Sequence, residues 1–83
     1  MKLEAYSLKN ILFQGEAKAI NCKTAVGEIT VLDHHKPLVS ILEPGVVRIT
    51  SQSGEETFLN VKSGFLEVNS ENKARLILEE AAS

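Results

Sequence analysis

An all-β fold, a sandwich or flattened barrel of eight or more short strands, is the architecture this sequence predicts. Three observations predict it. The dominant apolar period is two rather than 3.6. Turn signals recur about every eight to twelve residues. The five glycines and two prolines punctuate the apolar runs and form no Gly-rich or Pro-rich tract.

Leu3 and Ala5 alternate with Lys2, Glu4 and Tyr6 in a first short strand, and Asn10 breaks the chain after it. Ile11-Leu12-Phe13 precedes Gly15. From Glu16 to Cys22, Ala17, Ala19 and Ile20 alternate with polar residues. Gly27 opens Glu28–Leu32, a run rich in β-branched residues. After His35-Lys36-Pro37 come Leu38–Leu42, which Pro44-Gly45 closes. Proline donates no backbone hydrogen bond, so Pro37 and Pro44 belong at strand edges or turns.

Val46–Ser51 and Thr57–Val61 flank the polar gap from Gln52 to Glu56, whose Gly54 signals a hairpin. Phe65–Val68 and Ala74–Leu78 repeat the pattern around Asn69-Ser70-Glu71-Asn72. Ser63-Gly64 joins the two hairpins and marks a bulge or sharp bend. Only Glu79-Glu80-Ala81-Ala82 has helical character, and it is too short to be stable alone.

The 83 residues make one domain, 1–83, with a small core. An apolar fraction of 43% argues for a folded chain. Nine basic and eleven acidic residues are well mixed, net charge −2, so no basic patch points to nucleic acid. No apolar run approaches the ~20 residues that span a bilayer. Residues 1–4 lack the apolar core of a signal peptide. The expected setting is cytoplasmic, with any membrane association made through a partner. Cys22 excludes an internal disulfide and reads as a small strand residue rather than a reactive thiol.

Asp33-His34-His35 is the one cluster with metal or acid–base character. Neighbouring strand residues point to opposite faces, and a zinc site needs three or four ligands. A small metal-binding or ligand-binding β domain using these three residues is one alternative reading and an unrelated structural adaptor another, and no metal or cofactor is expected. No G-x-S-x-G, Gly-rich phosphate loop or G-K-[ST] occurs, which argues against an enzyme. What remains is docking. Leu38, Val39, Ile41 and Leu42 are apolar at neighbouring positions, as are Val46, Val47 and Ile49. A sandwich needs only its inner faces apolar, so one outer face is expected to be covered by a partner.

The segment Gly27–Ile49 carries the most specific pattern. Gly27-Glu28, His35-Lys36-Pro37-Leu38 and Pro44-Gly45-Val46-Val47-Arg48-Ile49 recur in this order in the amino-terminal half of the epsilon subunit of F-type ATP synthases. The opening residues, Phe13-Gln14-Gly15-Glu16 and Gly64-Phe65-Leu66-Glu67-Val68 extend the resemblance over almost the whole chain.

It implies a ten-stranded β-sandwich without catalytic activity. Such a domain binds the gamma subunit of the central stalk and the membrane c ring, and helps couple ion translocation to ATP synthesis. It is peripheral to the membrane, on the cytoplasmic side. By the same resemblance Glu28 faces the c ring and His35 lies near that end, while Ser40 and Leu42 fall on the strand against gamma. Asp33-His34 stands where the family commonly has Pro-Gly, so this turn is expected to differ. Many epsilon subunits continue into a two-helix hairpin that binds ATP or inhibits hydrolysis. This sequence stops at Ser83, where that hairpin would begin. If 83 residues is the natural length, those two functions are absent.

Overall fold

Two long strands, each bent so that it serves both layers of a sandwich, organise the computed structural model, which describes residues 1–81. The seven strands are β1 (Lys2–Tyr6), β2 (Ile11–Thr24), β3 (Gly27–Leu32), β4 (Leu38–Leu42), β5 (Gly45–Ser51), β6 (Glu56–Val68) and β7 (Lys73–Glu80). No helix occurs among the described residues.

One layer runs β4, the second half of β6, β7, β1 and the first half of β2. The other runs β3, the second half of β2, β5 and the first half of β6. All pairs are antiparallel except β1–β7. At the side where the layers separate, β4 touches β2 only at Thr24–Leu42.

Seven strands stand against the eight or more that the turn signals predict and the ten that the resemblance implies, because two of those signals lie inside strands. The backbone ladder continues through them. Gly15 lies inside β2, and the register shift that bends the strand falls between Ala17 and Ala19. A second shift, between Val61 and Ser63, carries β6 from one layer to the other. The bulge expected at Ser63-Gly64 thus falls one residue earlier, at Lys62, and bends one strand instead of joining two. Gly64 is required there by close approach. A Cβ would collide with the Ile77 carbonyl oxygen and sit 2.9 Å from Leu78 Cδ2. The helical reading of Glu79–Ala81 is also corrected: β7 runs through Glu80, tied by its pairing to Val61 and Ser63. Ala82 lies outside the described residues.

Strand alternation does the rest. Leu3, Ala5, Leu66, Val68, Leu76 and Leu78 point inward from one layer, and Ile20, Cys22, Val31, Val47, Ile49 and Val61 from the other. Cys22 is fully buried, and burial pushes its thiol up to about 11, so it stays neutral and unreactive. No buried side-chain nitrogen or oxygen among the described residues lacks a hydrogen-bond partner.

Candidate functional site

The two ends of β3 differ in chemistry. At its start, Thr24 and Gly27 pair across the two-residue turn Ala25-Val26. The buried Thr24 hydroxyl donates to the Gly27 carbonyl at 2.8 Å, and the Val26 N–H donates back to that hydroxyl at 3.3 Å. This short turn leaves Val26 93% exposed. Glu28 follows, exposed, opposite Lys23 in register. The β4–β5 turn lies beside it, where the Glu43 N–H donates to the Lys23 carbonyl at 2.8 Å. This end is open and lightly bonded.

At the other end, Asp33 and His34 turn the chain sharply, and His34 takes a left-handed φ of 63°. The Met1 ammonium, itself buried, donates to the Ala17 carbonyl at 2.8 Å and to Asp33 Oδ1 at 2.5 Å. Asn72 Nδ2 donates to the same carboxylate oxygen at 2.8 Å, and the His34 N–H donates to Asn72 Oδ1 at 2.8 Å. Asn72 is left-handed as well, with φ 60°. Donation by the ammonium and then by Asn72 holds the Asp33 carboxyl at about 2, well below the usual carboxylate range. The His34 backbone is thus tied to Asn72 while its side chain stays exposed.

Glu28 and His35, expected near the same end of the domain, lie toward opposite ends of β3. Four strand rises of about 3.3 Å, roughly 13 Å, separate Glu28 from Leu32 before the turn to His35 begins. His35 is exposed, and its Nδ1 lies 2.7 Å from the Lys36 carbonyl. His34 is exposed too, with Nε2 3.9 Å from Asp33 Oδ2. Asp33 is engaged by the Met1 ammonium and Asn72 rather than by both histidines. Among the described residues no group of three or more His, Cys, Asp or Glu side chains converges as metal ligands would.

Strand β4 turns the two residues expected against gamma inward. Leu42 is 3% exposed and belongs to the core, so it offers almost no surface. Ser40 is half-buried on the same face. The outward residues are Val39 and Ile41, 70% and 74% exposed.

Register then builds a feature that the sequence did not reveal. Ile41 lies opposite Phe65, Phe65 opposite Ile77, Ile77 beside Tyr6 and Tyr6 opposite Ile11. This apolar row crosses one outer face from β4 to β2. Ile41 and Ile11 at its ends are the most exposed, and Tyr6 and Ile77 are half-buried. The next row, Val39, Glu67, Arg75 and Glu4, is charged except for Val39. No helix long and apolar enough to cross a membrane occurs among the described residues.

Residues 1–83 match the family described as the ATP synthase delta/epsilon chain β-sandwich domain. The ATP synthase epsilon chain of Dichelobacter nodosus is 43% identical over 72 residues, covering 87% of this chain and 49% of that protein. A chain of the Euglena gracilis mitochondrial ATP synthase, in an OSCP/F1/c-ring structure, superposes with TM-score 0.88 at 25% identity. That match covers 99% of this chain and 52% of the Euglena chain. A chain from the Tetrahymena thermophila central stalk and c ring shares the fold, with TM-score 0.81 at 13% identity, over 96% of this chain and 63% of its own length. The chain thus spans about half the length of the curated relative it matches.

Proposed function

The chain belongs to the ATP synthase delta/epsilon β-sandwich family, and we propose that it serves as a non-catalytic central-stalk domain of an F-type ATP synthase. In this reading it lies on the F1 side of the membrane and seats on the c ring by its open end. The gamma subunit covers its apolar row. The domain so placed helps transmit ring rotation to the catalytic head.

The observation that carries the reading is the family match over residues 1–83, together with an outer face that exposes apolar residues in one continuous row. A row of this kind is costly to leave in water and favourable to cover. At the open end, Glu28 supplies an exposed carboxylate beside the apolar tip Val26, a mixture suited to the polar rim of an interface. His35 sits at the opposite end of β3, so in this reading it makes no ring contact. On β4 the gamma contact passes from Leu42 to Val39 and Ile41, with Ser40 behind them.

Co-purification with gamma at micromolar concentration tests the proposal. A stable complex, weakened by Ile41→Lys or Phe65→Lys while the circular dichroism spectrum is unchanged, is the expected outcome. A folded domain that never associates with gamma overturns it.

A further inference from the structure

The apolar row on the outer face is bordered by charge in a pattern that matches itself. Across the strands it reads Ile41, Phe65, Ile77, Tyr6 and Ile11. Along β7, Arg75 lies two positions before Ile77 and Glu79 two positions after it, so alternation turns all three to one face. Along β6, Ser63 and Glu67 flank Phe65 in the same way. Arg75 and Glu79 keep exposed side chains. Their ion pairs within the chain, to Glu67 at 3.7 Å and to Lys62 at 3.9 Å, are long and solvated.

We propose that this face, when gamma is absent, stacks on the same face of a second copy about a two-fold axis running along the row. Each residue of the row then meets its own counterpart, and the strands of the two copies run antiparallel. Arg75 of each copy opposes Glu79 of the other, which gives two opposite-charge contacts by symmetry, and Ser63 opposes Glu67. Stacked sheets lie about 10 Å apart with strands within about 30° of each other. Long side chains two positions from the axis therefore stay within reach.

Charge selects this orientation. A two-fold axis along β7 would match the row equally well in reverse, Ile41 over Ile11 and Phe65 over Tyr6. It would also set Glu67 against Glu4 and Arg75 against Arg75, which is unfavourable. The outer face of the other layer has no comparable row. Thr30, Asn21, Arg48 and Phe58 follow one another there, with Asn21 bonded to Thr30.

Four strand spacings of about 4.8 Å make the row about 19 Å long, which keeps the contact below the ~1,000 Å² of a persistent complex. The dimer is therefore weak and reversible.

Sedimentation velocity on the 83-residue chain, from about 10 µM to 1 mM, tests the proposal in the range where small interfaces associate. The expected result is a coefficient that climbs from the monomer toward the dimer value. Arg75→Glu and Glu79→Arg, at exposed positions, should each weaken self-association about tenfold with an unchanged circular dichroism spectrum. Mixed together, the two variants should associate at least as well as the wild type, because every Arg75–Glu79 contact between them regains opposite charges. Phe58→Lys, on the other layer, should dimerise like the wild type. A monomer throughout, association indifferent to both charge reversals, loss of association in Phe58→Lys, or a mixture no stronger than its components overturns the proposal. Because gamma takes no part in these measurements, their failure leaves the proposed function standing.

Discussion

The end of the sandwich around Asp33-His34 and the end around Glu28 share one strand and are built on opposite principles. At the first, the chain terminus and one distant side chain converge on a single carboxylate oxygen and its turn. Met1, Asp33 and Asn72 hold one another, and two residues other than glycine are kept left-handed. At the second, a two-residue turn held by one threonine projects Val26 into solvent, and Leu8 on the β1–β2 turn is fully exposed. Polar bonds spent on internal bracing are unavailable for recognition. Apolar tips left in water are suited to nothing but recognition. The contrast separates a structural end from a presenting end more clearly than residue type does, since both ends carry exposed charge.

The largest expected effect breaks both ends together. β6 passes between layers at Gly64, where a Cβ would meet the Ile77 carbonyl oxygen and the Leu78 side chain. The backbone oxygen cannot move without disturbing the β6–β7 ladder. Gly64→Ala should cost about 2–3 kcal/mol in urea unfolding at neutral pH. If the loss is negligible, the two layers are not joined rigidly through β6, and the ends cannot be compared as parts of one frame.

Next comes the braced end alone. Asn72→Ala removes the bonds to Asp33 and to the His34 N–H and puts a Cβ residue without a polar side chain at φ 60°. It should cost about 1–2 kcal/mol, against less than about 0.5 kcal/mol for Val26→Ser at the open end. The same bracing sets a pH dependence. The Asp33 carboxyl lies near 2 when folded, below its ordinary 3.8. A depressed folded value gives stability that is present above about pH 4 and lost as pH falls toward 2. Thermal melts should show the loss in that window, and Asp33→Asn should flatten it.

His34→Gly should act in the opposite direction. Holding a β-carbon at φ 63° costs about 1–2 kcal/mol, and glycine returns part of this as greater unfolded entropy. A net stabilisation of about 0.5–1 kcal/mol is expected by chemical denaturation. The His34 side chain is mostly exposed, so little packing is lost.

How much of this was legible in the sequence depends on the range of the interaction. Alternation is local, so β3, β4, β5 and the turn from Asn69 to Asn72 could be placed closely from residue order alone. Strand number was not legible. Gly15 and Ser63-Gly64 look like strand ends in sequence, but ladder bonds with neighbours far along the chain carry β2 and β6 through them. The Asp33-His34 turn was legible as an exception but not as a brace, because its partner Asn72 lies 38 residues away from His34. The surplus of apolar residues on β4 was visible, but which of them face outward was not. That choice depends on whether even or odd positions turn inward, and Leu38, Val39, Ile41 and Leu42 do not distinguish the two.

The smallest stability effect belongs to the presenting end and gives the sharpest functional contrast. Val26→Ser and Glu28→Gln both alter exposed groups, and Glu28→Gln avoids placing a second ammonium opposite Lys23. Each should leave the unfolding free energy within about 0.5 kcal/mol of the wild type. If this end seats on the c ring, both should lower retention of the domain on washed membranes containing the assembled rotor, with the larger loss at higher salt for the wild-type carboxylate. Asn72→Ala should show the reverse pattern, with lower stability and unchanged retention once folded. Should Asn72→Ala impair retention as much as Glu28→Gln does at equal folded fraction, the division between a bracing end and a presenting end fails. A loss confined to Glu28 and Val26 would place recognition on the one end that the chain leaves open.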